Sequence, residues 1–379
     1  MRFATPDMIE DPYPRYAQWR EQMPIWRDEA TNGWVLTRHD DVHDVLRKPA
    51  IFSSAAMGQG SAPLPLLTDD PPRHTQLRTL VIKAFTSRML KSMEASVERI
   101  ANELLDEFPL NGDLDAVQRF TIPLPVAVIA QMMGIPGERA DDFKRWSDAL
   151  TGTLAGVSME ERQTEIFEMA SYFQSLIPDR REHPGEDLVS AVVNAEIDGE
   201  RLSDQDIVGF NVLLLIAGNE TTTNLLGNFL NIVADRPEIW STLRERPELV
   251  EAAIEETLRF DAPVQFLMRK AVEDAEFHGQ QVSAGENVIA VMGAANRDPS
   301  YYDGPDTFCL DREKNRHHTF GYGIHFCLGA PLARLEAKLG IEALLRRFPT
   351  FERGEGPKVR VPSHLLRGFE HLSLAMHRH

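Results

Sequence analysis

The chain has 379 residues, room for two or three ordinary domains or one large one, and ample to enclose a sizeable cofactor. Apolar residues make up 42% and charged residues 26%, which excludes disorder, collagen and coiled coil. A net charge of −18 makes the chain a poor candidate for wrapping nucleic acid or an anionic membrane, and its two cysteines, Cys309 and Cys327, are too few for a disulfide framework or a four-cysteine zinc site.

Taken in chain order, the apolar spacing predicts helix at 12–22, a short strand at 34–37 and helix at 40–47. Residues 53–67 carry glycine, proline and alanine without a period and read as a long loop. Helices follow at 71–93, 94–108, 125–133, 140–150 and 160–181. The strongest helix starts at Ser203, with Asp206 three residues on in a capping-box-like arrangement, and runs to about 235. Ile207, Phe210, Leu214, Ala217, Thr221 and Leu225 recur along it at spacings of three and four. A helix that long, apolar on more than one face, is expected to cross the interior. Another helix begins near 247 and stops before Asp261-Ala262-Pro263. Strand-like stretches such as 281–282 and 287–291 come next, and a last helix covers about 329–348. No linker breaks the pattern, so 1–379 reads as one domain, mainly α with a small β region. The longest strongly apolar run, 212–217, is too short to span a bilayer, and residues 1–10 lack the secretory pattern, so a cytoplasmic location is expected.

The segment that carries chemistry is Phe320-Gly-Tyr-Gly-Ile-His-Phe-Cys-Leu-Gly329. A glycine-rich turn presents one cysteine immediately before a helix. Helix-terminal amides and the macrodipole favour a thiolate there, so a lowered thiol pKa is expected. A lone thiolate without further metal-spaced ligands is poor for zinc and suits a single axial bond to haem iron. The bland alternative is a structural cysteine in a tight turn.

Phe320, Gly323, His325, Cys327 and Gly329 match the haem-binding loop of the cytochrome P450 family, Phe-x-x-Gly-x-His/Arg-x-Cys-x-Gly, and the chain resembles that family over essentially its whole length from about residue 12. The resemblance implies a single-domain cytochrome P450 fold, with haem between the long central helix and the cysteine loop and its helix. It makes Cys327 the axial ligand. It makes Glu220 and Thr221, in Ala217-Gly-Asn-Glu-Thr-Thr222, the acid–alcohol pair that delivers protons during O₂ activation. A threonine inside a helix can also bond back to a carbonyl and bend it, opening a groove beside Gly218. His74, Arg78, Arg269 and His325 are implied as partners of the haem propionates, with Arg73, Arg316 and His317 as nearby competitors. Glu256 and Arg259, three apart on one helix face, are implied as a structural pair joined by Arg312. His318 and Thr319 stand where Leu-Ala is common in bacterial relatives.

The activity so implied is an O₂-dependent haem b monooxygenase that hydroxylates or epoxidises a small lipophilic substrate, with electrons from NAD(P)H by way of a reductase and a ferredoxin. The alternatives are an H₂O₂-driven peroxygenase, against which the intact Glu220–Thr221 pair argues, and a haem sensor without turnover, against which the long helix with its proton path argues. Residues 71–93 hold Arg73, Arg78, Lys83, Arg88 and Lys91 and no acid, and Arg334 and Lys338 follow the cysteine, so an acidic ferredoxin is expected to dock there. The substrate pocket is expected at Pro65, Leu66, Leu213, Ala217, Val264, Phe266 and Leu267, closed by Leu365 and Leu366.

Overall fold

In a computed structural model of the chain, residues 1–379 are described except 56–63, 83–84, 86, 110, 152–158, 198–199, 314 and 378–379. Lys83 of the expected docking patch lies outside the described residues, as does the side chain of Arg88.

Helix Asp204–Ala234 forms without interruption and carries the architecture. Ser203 caps it: its Oγ accepts from the amide of Asp206 at 3.1 Å and donates to the Asp206 carboxylate at 2.8 Å. Twenty of its residues are buried, because helices Pro123–Met132, Ala140–Thr151, Met159–Glu182, Val250–Phe260 and Ala330–Arg347 all pack on it. One apolar cluster runs through these helices. Thr221 does bond back to Ala217, at 2.9 Å, yet the helix continues unbroken. The space beside Gly218 is taken by Ile129, which would stand 3.1 Å from a Cβ there.

The β structure lies to one side. A five-stranded sheet has the spatial order Ile25–Arg27, Trp34–Leu36, Asn287–Ala290, Leu267–Ala271, Phe52–Ser53. Only the pairing of Asn287–Ala290 with Trp34–Leu36 is parallel. Thr350–Arg360, Phe369–His377 and Asn111–Asp115 make a three-stranded antiparallel sheet.

One sequence expectation is corrected, and two elements appear that the pattern does not give. The predicted helices 71–93 and 94–108 meet in the wrong place: the chain forms Arg73–Ile82 and then Ser87–Asp106. Phe85, between them, turns into the central cavity described below. Helix Pro237–Glu245, begun by a proline at its first position, was not expected, and neither was the hairpin of the last thirty residues. Helix Met159–Glu182 tolerates Pro178, although an interior proline normally breaks a helix.

Candidate active site

Gly321 and Gly323 adopt φ of +71° and +68°, a region that side chains resist. A Cβ on Gly323 would also meet the carbonyl oxygen of Leu46 at 3.1 Å. The turn is closed by the Gly321 amide on the His318 carbonyl (2.7 Å) and the Cys327 amide on the Phe320 carbonyl (2.8 Å). Cys327 then sits just before helix Ala330–Arg347. Its residue is exposed by area, but that surface faces a cavity inside the protein.

The expected depression of the thiol pKa is not what the geometry gives. Burial pushes the Cys327 thiol up, against the opposing pull of the Gly329 and Ala330 amides and of Arg78 and Arg334. The helix terminus is present, but removal from water outweighs it. A cation at the sulfur is the natural remedy for such a site, because it stabilises the thiolate directly.

The cavity encloses about 1410 Å³ of empty space, part of it open to solvent, between helix Asp204–Ala234 and the cysteine loop. Of the predicted residues, His74, Arg78, Arg269, His325, Cys327, Thr221, Leu66, Leu213, Ala217, Val264 and Leu267 line it. Phe266 does not; it packs edge-on to Phe3 at 5.1 Å, in the N-terminal aromatic cluster. Leu366 bridges to Val264 through the backbone and faces a separate surface pocket, and Leu365 is exposed. Strand alternation explains the miss: neighbours in sequence point to opposite faces. Pro65 is also absent from the wall. Glu220 is buried off the wall, next to Thr221, which reaches it.

Four basic side chains converge at one end. Both ring nitrogens of buried His74 have no hydrogen-bond partner in the protein, and its ring lies 4.2 Å from that of His325. Burial lowers the pKa of His74, with Arg78 adding to it, and carries His325 down to about 3. Arg269 is 2% exposed and is pulled down to about 10 by burial. Arg78 donates to the Phe326 carbonyl at 2.7 Å. Basic side chains gathered at one end of an apolar cavity suit an anion, and two carboxylates of a bound cofactor would pair with them. With a thiol ligand and an apolar slot between two helices, this donor set fits haem. Arg73, Arg316 and His317 do not line the cavity; His317 lies 3.2 Å from Glu255.

Residues missed by sequence reasoning hold this end in place. Ser54 Oγ lies 2.9 Å from His325 Nε2, and the Ser54 amide donates to Asp70 at 2.9 Å. A serine in a loop gives no sequence signal. Glu336, also on the wall, does: it falls in an otherwise apolar face with Leu332, Ala333, Ala337 and Gly340.

Glu256, Arg259 and Arg312 meet behind the loop. Arg259 donates to both Glu256 carboxylate oxygens at 2.8 and 2.7 Å, Arg312 adds bonds at 3.1 and 3.0 Å, and the Cys309 amide adds another. Arg259 also binds the carbonyls of Asn296 and Pro305, tying the helix to the segment that leads into the cysteine loop. Thr319 extends this, donating to the Leu258 carbonyl and accepting from Asn296.

Three residues of the expected basic patch are committed within the chain. Arg73 pairs with Asp69 and Asp206, Arg334 with Glu255, and Lys338 with Glu251.

No helix among the described residues is long and apolar enough to cross a membrane. Comparison with known proteins agrees with the site. The family model described as Cytochrome P450 matches residues 113–368. A putative cytochrome P450, YjiB, of Bacillus subtilis is 40% identical over 349 residues, covering 90% of this chain and 88% of its own. The mycinamicin IV hydroxylase/epoxidase of Micromonospora griseorubida is 38% identical, covering 95% and 92%. The crystal structure of CYP109E1 from Bacillus megaterium in complex with corticosterone superposes with a TM-score of 0.90 at 38% identity, covering 97% of this chain and 99% of that one. A cysteine poised on a glycine turn, in an apolar slot with a basic end, thus has its explanation: the chain belongs to the cytochrome P450 family of haem-thiolate monooxygenases.

Proposed function

We propose that this protein hydroxylates or epoxidises a neutral lipophilic molecule, with electrons supplied by an acidic ferredoxin. One observation carries the substrate class. The basic groups of the cavity are gathered at the cysteine-loop end, and the remaining wall is apolar, built from Leu66, Leu67, Phe85, Phe210, Leu213 and Val264. Among the described residues no cation on that wall is left over to clamp an acidic substrate. The name of one similar structure points the same way: it holds corticosterone.

When bound, haem supplies the activation of O₂ and the insertion of one oxygen atom into a C–H or C=C bond. Cys327 would hold the iron, and His74, Arg78, Arg269 and His325 would hold the propionates. Thr221 spends its proton on the Ala217 carbonyl, so its oxygen faces the cavity as an acceptor, able to fix a water on the proton path. Glu220, buried beside it, renews the proton. The apolar wall excludes bulk water and holds the substrate by shape.

Ferredoxin approaches on the cysteine-loop side, where Tyr322 and Phe326 are exposed and Arg78 donates to the Phe326 carbonyl. Because Arg73, Arg334 and Lys338 already have acidic partners, steering by charge is weaker than the bare sequence implies.

The test is a Soret-band titration of the ferric holoprotein with neutral steroids, macrolides, terpenoids and fatty-acid esters, each set against a charged compound of like size. A low-to-high-spin shift with neutral members is expected. A shift confined to charged ligands overturns the substrate class, and product formed with peroxide alone and none with ferredoxin overturns the electron route.

A further inference from the structure

We propose that Glu336 is a neutral carboxylic acid of the cofactor pocket, and that by keeping its proton it spares the Cys327 thiolate a second buried anion and so sets how readily the site accepts its first electron. The inference rests on the reading that haem occupies this cavity. Glu336 belongs to the helix that Cys327 leads into. Gly329, Leu332, Ala333 and Glu336 all line the cavity, at the spacings that share one helix face. Seven residues of helix place Glu336 about 10 Å along the axis from Gly329, within the span of a planar macrocycle lying on that face. The side chain is 2% exposed, and Oε2 has no hydrogen-bond partner.

Among the described residues no cation is shown to pair with it. The basic residues of the same helix turn to other faces, where Arg334 pairs with Glu255, Lys338 with Glu251, Arg346 with Glu98 and Arg347 with Asp106. Those acids sit on the packed helices Val250–Phe260 and Ser87–Asp106, each spent on its own partner; Glu94 acts on Lys338. Helix Pro123–Met132 offers no charged residue, and helix Pro237–Glu245 carries Glu238, Arg244 and Glu245. Helix Asp204–Ala234 shows the cavity Thr221, Thr222 and Leu225, with Glu220 off the wall. Burial alone acts on Glu336 and drives its pKa well up, which agrees with the geometry. An ionised carboxylate there would be uncompensated in a low-dielectric slot and would oppose an incoming electron.

The test is the ferric/ferrous midpoint potential of the substrate-free holoenzyme, followed by the Soret band from neutral to alkaline pH, in wild type and Glu336→Gln. At neutral pH the two are expected to agree, since glutamine is also uncharged. In alkaline solution the wild-type potential is expected to turn downward, toward one proton per electron, and the glutamine variant to lack that turn. Parallel curves at every pH overturn the proposal, as does a potential raised at neutral pH by glutamine, which would mean that Glu336 is already ionised. If Glu336→Gln does not load haem, Glu336→Leu takes its place with the same expectations. A wild-type potential that stays flat through the alkaline range overturns the proposal whatever the variants do. Failure of the underlying reading looks different: wild-type protein without a Soret band.

Discussion

The two walls of the cavity are built by opposite means. The cysteine-loop wall is held by directional bonds: positive-φ glycines, backbone amides returned onto carbonyls, and the Glu256–Arg259–Arg312 trio behind them. The opposite wall is held by contact among Leu66, Phe85, Phe210, Leu213 and Val264, none of which bonds to a partner through its side chain. Directional bonds demand particular residues at particular positions. Apolar contact demands only volume, and many side chains supply it. The first wall therefore fixes a reacting atom, while the second is free to change shape with the substrate.

The comparison predicts large effects on the first wall. Glu256→Ala strands buried Arg259, and removing one partner of such a pair is expected to cost about 3–5 kcal/mol in urea unfolding of the holoprotein. A loss below about 1 kcal/mol would mean that the trio is no tie. Next comes Thr221→Ala, at the boundary between the walls. It is expected to keep haem and consume NADPH while product falls about a hundredfold and peroxide rises in its place. Unchanged coupling would remove Thr221 from the proton path.

On the second wall the effects shrink. Ala217→Leu puts volume into the cavity from the middle of helix Asp204–Ala234, and is expected to weaken large ligands by about 1–3 kcal/mol in the Soret titration. The unfolding midpoint is expected to move little. Equal weakening of small and large ligands would show that Ala217 does not shape the pocket.

The smallest effect expected at neutral pH sharpens the first wall. His318 is buried beside the rings of His39 and His43, at 4.6 and 5.4 Å, and burial with those neighbours takes its pKa down to about 3. Below about pH 6.5 the unfolded chain takes a proton that the folded one refuses, so this residue makes stability fall as the pH drops from there toward 3. His318→Leu is expected to flatten that part of the stability profile and to change little above pH 7. A profile that stays as steep assigns the acid sensitivity to other groups.

Glu255 belongs to the same wall, and its pKa is lowered to about 2. Burial would raise it, but the bonds from Arg334 and His317 outweigh that. It therefore contributes stability above the ordinary carboxylate range that is lost only as pH falls toward 2. The acid slope that begins near pH 6.5 is consequently separable from this one by its position.

Legibility followed the same division. The cysteine loop, the Glu256–Arg259 pair and the long helix could be read from residues, because a glycine at positive φ, a charge pair at three-residue spacing and a period of 3.6 each leave a mark on sequence. Phe266 and Leu366 were misplaced because adjacent apolar residues in a strand or bridge look alike until the sheet says which face is buried. Arg73 looked like a docking charge because Asp206, its partner, lies 133 residues away. Glu336 was visible as an acid in an apolar helix face, but nothing in one dimension says whether such a face meets a partner, a lipid or a cavity.

The amino-acid sequence by itself determined the family, the cysteine-bearing glycine turn and the helix that crosses the protein, since these depend on local backbone geometry and on residues with no chemical substitute. The tertiary structure alone decided what surrounds them. Burial reversed the expected direction of the Cys327 pKa, long-range pairs took up Arg73, Arg334 and Lys338 of the basic patch, and strand register chose the pocket. Each of these depends on distances between residues far apart in the chain, and on how much water the fold removes from between them.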